Sequence, residues 1–294
     1  MTEATVEATS RTLDVPGAIL TYDVRRNEAS NEPVLMLIGS PMGAAGFGTL
    51  ARHFTDRTVV TYDPRGVERS RKTDESAEST PEEHADDLHR LISAIGTRPV
   101  DLFATSGGAV NALELVARHP EQIRLLVAHE PPAVQVLPDR EAVLAAAANI
   151  HDTYLRSGVG PAMAKFIALA SHEGPVPADF ANQAPPDPAM FGLPTEDDGS
   201  RNDPLLGQNW NSGMHYQPDF HALRAAPTRI VMAVGATSGG TLANRAGAVV
   251  AERLGSKPVI FPGGHGGFLG GEYGQTEEPD AFAAKLREVL SNRP

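Results

Sequence analysis

The strongest constraint in this sequence is a rhythm. From residue 13 onward, short apolar runs of strand length alternate with segments whose apolar residues recur at helical spacing. "AILTYDV" (18–24), "PVLMLIG" (33–39) and "RTVVTYD" (57–63) read as strands. The second is apolar throughout, the pattern of a parallel strand covered on both faces. "PEEHADDLHRLISAIG" (81–96) reads as a helix. Pro81 and acidic residues occupy its first turn, Gly96 follows its end, and Ala85, Leu88, Leu91, Ile92 and Ile95 share one face. "PVDLFAT" (99–105) is a strand, "GGAVNALELVARHP" (107–120) a helix stopped by Pro120, and "IRLLVAHE" (123–130) a strand. This order predicts an α/β fold: a mostly parallel twisted sheet covered by helices on both faces.

The rhythm breaks at "PPAVQVLPD". Residues 133–222 hold two helical segments (141–157 and 160–172) and a stretch rich in Pro, Asp and Gly (174–207) that reads as irregular. It resumes with a strand at 228–235, a helix at 243–255, a strand at 257–264 and a closing helix at 279–291. The expected organisation is a flexible tail (1–12), a core of 13–132 plus 223–294, and an inserted helical and irregular segment, 133–222. Such an insertion is expected to form a lid, because ligands of open α/β sheets bind beyond the carboxyl ends of the strands.

Composition excludes several functions. Formal net charge is -12, which argues against nucleic acid, whose phosphates require clustered Lys and Arg. There are no cysteines, hence no disulfide, thiol nucleophile or thiolate metal site. No apolar run reaches the length of a membrane-spanning helix. The N-terminal segment is polar and acidic, without signal-peptide character. A cytoplasmic protein acting on a small molecule is expected. His84 and His89, and His215 and His221, lack metal-ligand spacing. "GATSGGT" lacks the Lys of a phosphate-binding loop. No metal and no cofactor are expected.

Ser106 stands between a strand and a helix in "LFATSGGAV", with Gly107 and Gly108 behind it. Two readings compete. Ser106 is a nucleophile on a tight strand-to-helix turn, with the Gly107 N–H free to bind an oxyanion. Alternatively, it is a loop serine capping the helix. Ala104 stands where a glycine is usual, but the position asks only for little bulk.

"GSPMGAAGF", "YDPRGVERS", "ATSGGAVNALELVARHP" and "FPGGHGGF" occur in order along the core, each after a strand. Together they resemble the α/β-hydrolase family, its serine hydrolase branch. The resemblance implies that Ser106 is the nucleophile and that His265, after the last strand, is its base. The usual acid position, in "GATSGGTLANR", holds no Asp or Glu; Ser238 or a neighbour occupies it. Some members place the acid after the strand that follows the nucleophile helix, where this chain has Glu130, 24 residues past Ser106. His129, on the opposite side of that strand, reads as structural. By the same resemblance, the second oxyanion donor beside Gly107 is Ser40, with Met42 as fallback; Pro41 has no N–H. Asp63 and Arg65 read as holding their loop.

Trp210, Met214, Tyr216 and Phe191, with Phe166, either line an apolar substrate pocket or pack the insertion's own core. The resulting expectation is a serine hydrolase of carboxylic esters or lactones, working through Ser106, His265 and Glu130 on a hydrophobic small molecule. A cofactor-free perhydrolase or C–C bond hydrolase uses the same triad, and a non-catalytic ligand-binding relative is the third reading. An Asp nucleophile, which the family's dehalogenases and epoxide hydrolases need, is absent. A homo-oligomer stays open.

Overall fold

The computed structural model describes residues 7–292 apart from 75, 77 and 97. In chain order the first half contains β1 (Thr9–Val15), β2 (Ala18–Arg25), β3 (Leu35–Ile38), α1 (Gly48–Arg52), β4 (Val59–Asp63), β5 (Arg71–Lys72), α2 (Pro81–Ile95), β6 (Val100–Thr105), α3 (Gly107–Arg118) and β7 (Ile123–His129). Then follow α4 (Arg140–Ser157), α5 (Val159–Ala170), α6 (Trp210–His215), α7 (Phe220–Ala225), β8 (Arg229–Gly235), α8 (Leu242–Arg253), β9 (Val259–Phe261) and α9 (Pro279–Ser291). The strands form one sheet in the order β1-β2-β4-β3-β6-β7-β8-β9, with β5 beside β2. From β4 to β9 every pairing is parallel, and only the β1, β2 and β5 edge is antiparallel.

The apolar strand runs are explained by covering on both sides. Met36 and Ile38 of β3, Leu102 and Ala104 of β6, and Leu126 and Ala128 of β7 face one core with α2 and α3. Leu35 and Leu37, Phe103, and Leu125 and Val127 face the other, with α1 and α9. The period of two sends alternate residues to opposite faces, so both sets must be apolar. Phe103 centres the second core, its ring 5.5 Å from Phe282 and 5.8 Å from Phe268 between centroids. Ala104 is fully buried against the first core, where little space is left for a larger side chain.

Helix α2 starts as its sequence indicates. Thr80 caps it by accepting from the Glu83 N–H at 3.2 Å, while Glu83 accepts from the Thr80 N–H at 2.8 Å. The same Glu83 reaches Arg65 at 2.9 Å, and Asp87 grips Arg65 with both oxygens at 2.8 Å. Arg65 is 2 % exposed and Asp87 fully buried. Asp63 accepts from the Ala44 N–H at 2.8 Å and from Arg69 Nε at 2.6 Å. Asp63 and Arg65 therefore hold their loop, as expected. Removing one partner strands the other charge in the interior. Arg65→Leu is accordingly expected to cost about 3–5 kcal/mol of stability, read as a lower urea midpoint; an unchanged midpoint would contradict this role.

Two sequence expectations change. The tail is not irregular to residue 12: Thr9–Val15 pairs antiparallel with β2, from Thr9 opposite Val24 to Val15 opposite Ala18. It is an edge strand whose side chains are mostly exposed, so its polar composition hid it; backbone pairing, the Ser10–Asp23 bond and buried Val15 order it. Residues 1–6 of that expected tail lie outside the described residues. Within 133–222, the two anticipated helices form, but α6 and α7 are additional, and Pro204–Asn209 winds into a π-helical turn that runs into α6. No helix among the described residues is long and apolar enough to cross a membrane.

Candidate active site

Strand register brings the candidates to one sheet edge. Thr105 pairs with His129 on β7, and His129 pairs with Ala233 on β8. Ser106 and Glu130 are each the next residue, so both emerge at the carboxyl edge on neighbouring strands. Both have left-handed backbone, φ 55° for Ser106 and φ 47° for Glu130. This conformation costs a non-glycine residue about 1–3 kcal/mol and persists only where surroundings impose it. Here the Ser106 N–H donates to His129 O and the Glu130 N–H to Ala233 O, each at 3.0 Å.

Ser106 immediately precedes α3 but makes no side-chain cap hydrogen bond, which removes the helix-capping reading. The two glycines behind it are explained by close approach. A Cβ on Gly107 would lie 2.6 Å from Ser40 O, and one on Gly108 2.7 Å from Gly39 Cα. The α3 N-terminus therefore sits directly against the loop after β3, and the obstructing atoms are backbone. Gly108→Ala must push that loop away, at an expected cost of about 1–3 kcal/mol. The check is a lower melting temperature; a melting point equal to the parent's would show that the loop yields freely.

Glu130 is fully buried and fully engaged. Its Oε1 accepts from the Gly235 N–H at 2.8 Å, from Asn244 Nδ2 at 3.1 Å and from the Ser238 hydroxyl. Its Oε2 accepts from His265 Nδ1 at 2.7 Å. Burial alone would raise the carboxyl pKa, but the bonds from His265 and Ser238 outweigh it and pull it down to about 2. The group is a carboxylate at neutral pH. With Nδ1–H held by a carboxylate, His265 presents Nε2 as its free base position. Its side chain is about half exposed. Gly264 of the same loop donates its N–H to Glu277 at 2.5 Å.

Ser238 was the unexpected partner. It stands in the loop after β8, and its hydroxyl donates to the Glu130 carboxylate. Asn244, one turn into α8, was missed; both residues stand in "GATSGGTLANR", whose lack of Asp and Glu was the available signal. His129, on the opposite side of β7, is fully buried beside Phe282 and bonded to Thr105 at 3.1 Å. Burial drives its pKa down to about 3, so the ring is neutral.

Ser106, His265, Ser40 and Gly107 line a single cavity of about 520 Å³ at this edge. No hydrogen bond joins Ser106 to His265 among the described residues. The rest of the wall comes from α2, α3, α5, α6 and α8, the π-helical turn before α6 and the loops beside them. Trp210 and Met214 line it; Trp210 is anchored by a 3.0 Å bond to Ala147 O and meets Phe166 edge-on at 5.5 Å. Two expectations are corrected. Tyr216 lies outside the cavity, buried in the core between α2 and α3. Phe191 lies outside it too, 41 % exposed on a separate pocket of the insertion. Tyr216 is held in its core by packing that spacing alone did not reveal. Met42, named for its backbone N–H, does not line the cavity, and its side chain packs against the α1 and α9 core.

A family model described as alpha/beta hydrolase fold matches residues 32–271. The uncharacterized hydrolase YraK of Bacillus subtilis is 31% identical over 285 residues, covering 95% of each chain. The chain belongs to the α/β-hydrolase family. Among solved α/β-hydrolase structures it resembles the enol-lactonase of Burkholderia xenovorans LB400 with a TM-score of 0.64 and 16% identity, over 96% of this chain and 100% of that one. It also resembles the naproxen esterase (carboxylesterase NP) of Bacillus subtilis, with a TM-score of 0.61 and 15% identity over 98% and 93% of the two chains. At such identities these two likenesses concern the fold, and function must be argued from the site. Within this α/β-hydrolase, the groups at the sheet edge supply a hydroxyl, an imidazole base and a buried carboxylate. Among the described residues, no cluster of three or more His, Cys, Asp or Glu is arranged to hold a metal.

Proposed function

We propose that this α/β-hydrolase is a serine hydrolase of carboxylic esters or lactones with an uncharged, largely apolar substrate. The observation that carries the reading is the Glu130–His265 bond of 2.7 Å in a cavity that also exposes Ser106 on its strained turn. Ser106 Oγ attacks the carbonyl carbon while His265 Nε2 takes its proton. Glu130 holds the ring and stabilises the imidazolium. The N–H groups of Gly107 and Ser40 bind the tetrahedral oxyanion. His265 then returns the proton to the leaving alkoxide, and the acyl group stays on Ser106. A water molecule, deprotonated by the same nitrogen, adds to the acyl carbon; the bond to Ser106 Oγ then breaks, His265 returns the proton to Oγ, and the acid leaves. Ser106 and His265 need only approach each other when substrate fills the cavity, because such bonds commonly tighten on binding.

Residues 133–222 act in this reading as the lid. They contribute Phe166, Leu205, Trp210 and Met214 to the wall. The lining is mostly apolar, which suits an apolar acyl or alcohol group. The enol-lactonase and esterase neighbours are consistent with this chemistry. A fluorophosphonate probe tests it directly: stoichiometric labelling of the folded protein, lost in Ser106→Ala, is expected. Absence of labelling would favour a ligand-binding protein without catalysis.

A further inference from the structure

The insertion holds a second cavity, of about 420 Å³. Helix α5 separates it from the cavity that holds Ser106. Phe166 and Ala170 of α5 face the Ser106 cavity, Lys165 and Ala168 face the second, and Ser171 borders both. The second wall is largely apolar, built from Ile150 of α4 and from Phe180, Pro185 and Phe191 of the segment after α5. Phe191 and its neighbour Met190 leave large apolar side chains open to solvent, surface of the kind that a ligand covers.

Lys165 is the one charged residue in this lining among the described residues. Its half-buried side chain runs back to α4, where Nζ donates to Asn149 Oδ1 at 2.5 Å and to Thr153 Oγ1 at 3.0 Å. An ammonium has three donors, so one is left over. Asn149 lines the same cavity, and with Oδ1 turned to the ammonium its Nδ2 is a second donor close by. Burial and the Arg156 charge pull the Lys165 pKa below the ordinary lysine value, with no acid to offset them. The cavity thus combines apolar walls with a cation that has hydrogen bonds but no counter-ion.

We propose that this second cavity binds an apolar carboxylate, its anion on Lys165 and its hydrocarbon against Ile150, Phe180 and Phe191. The site is separate from the hydrolytic one and does not depend on the ester-hydrolase reading. A carboxylate supplies the single negative charge that the ammonium lacks and accepts its free proton in a charge-assisted bond. A neutral head group leaves the charge uncompensated, and a dianion such as phosphate brings more charge than one lysine offsets. A short carboxylate without hydrocarbon forgoes the apolar contact.

The test is titration calorimetry of the full chain with octanoate, 1-octanol and acetate at neutral pH, for the parent, Lys165→Met, Lys165→Arg and Phe191→Ser. None of the substituted residues lines the Ser106 cavity. The parent is expected to bind octanoate about 10-fold or more tightly than octanol, and acetate more weakly still. Lys165→Met should weaken octanoate by about 10-fold or more while Lys165→Arg, which restores the charge, keeps most of the affinity. Phe191→Ser should weaken it several-fold through lost apolar contact. A purely structural role for Lys165 would not separate the Met and Arg variants by ligand charge. Melting temperatures certify that each variant is folded; Phe191 is exposed, so Phe191→Ser decides alone if Lys165→Met does not fold. A parent that binds octanoate no better than octanol or acetate overturns the proposal. So does octanoate affinity that survives Lys165→Met or Phe191→Ser, since the ligand then sits elsewhere.

Discussion

Ser106→Ala is expected to lower kcat for a cleavable ester by roughly 10⁴ to 10⁶-fold while leaving the fold intact. The size follows from the absence of any substitute. The chain contains no cysteine, and Ser106 is the serine placed at the N-terminus of α3 with left-handed backbone. Whatever activity survives in the variant would come from oxyanion binding and substrate positioning alone. Because the Ser106 side chain makes no capping bond to its helix, its loss should move the melting temperature little. Turnover near the parent's level in a folded Ser106→Ala protein would remove Ser106 from the mechanism.

Glu130→Gln is the second large effect, expected at roughly 10³ to 10⁴-fold in kcat by analogy with amide replacements of triad acids. The carboxylate accepts on both oxygens: three donors meet Oε1 and His265 Nδ1 meets Oε2. An amide accepts on one side only. If its oxygen keeps the three donors, its NH₂ faces His265 and forces the proton onto Nε2. That nitrogen then cannot take the Ser106 proton. If the amide turns round, its NH₂ meets the three donors and the loop after β8 is disturbed. Either outcome impairs catalysis, and unchanged activity would show that His265 is oriented by something else.

The same substitution has a pH signature. Glu130 has a folded pKa of about 2 against an ordinary 4.5. A depressed carboxyl stabilises the folded state fully above pH 4.5, and the contribution is lost as pH falls towards 2. Its size is on the order of 3 kcal/mol. Glu130→Gln should therefore show a flatter loss of stability between pH 5 and pH 2 than the parent, measured by urea unfolding. Parallel curves for the two proteins would mean that the carboxyl is not depressed by folding.

Most of the core strands and helices were legible because their signals are local. The continuous apolar run of β3 and the Pro81 and acidic first turn of α2 reflect covering and helix-start preferences that neighbouring residues specify. β1 was not legible, since a polar edge strand has no apolar pattern to betray it. The insertion's aromatic residues were only half legible. Trp210 and Met214 face the cavity while Tyr216, two residues beyond Met214, faces the core, because the chain turns extended at the end of α6.

The sequence by itself determined the α/β frame, the turn that carries Ser106 and the glycine-rich loop that carries His265, because each is written in contiguous residues. It also showed that the usual acid position was empty. Only the tertiary structure decided which carboxylate meets His265. Parallel register sets Glu130 beside Ser106 on the next strand, and the loop after β8 brings Ser238 and Asn244 onto its carboxylate. These contacts join residues more than 100 positions apart. No local pattern encodes such a meeting; it exists only once β6, β7 and β8 lie side by side.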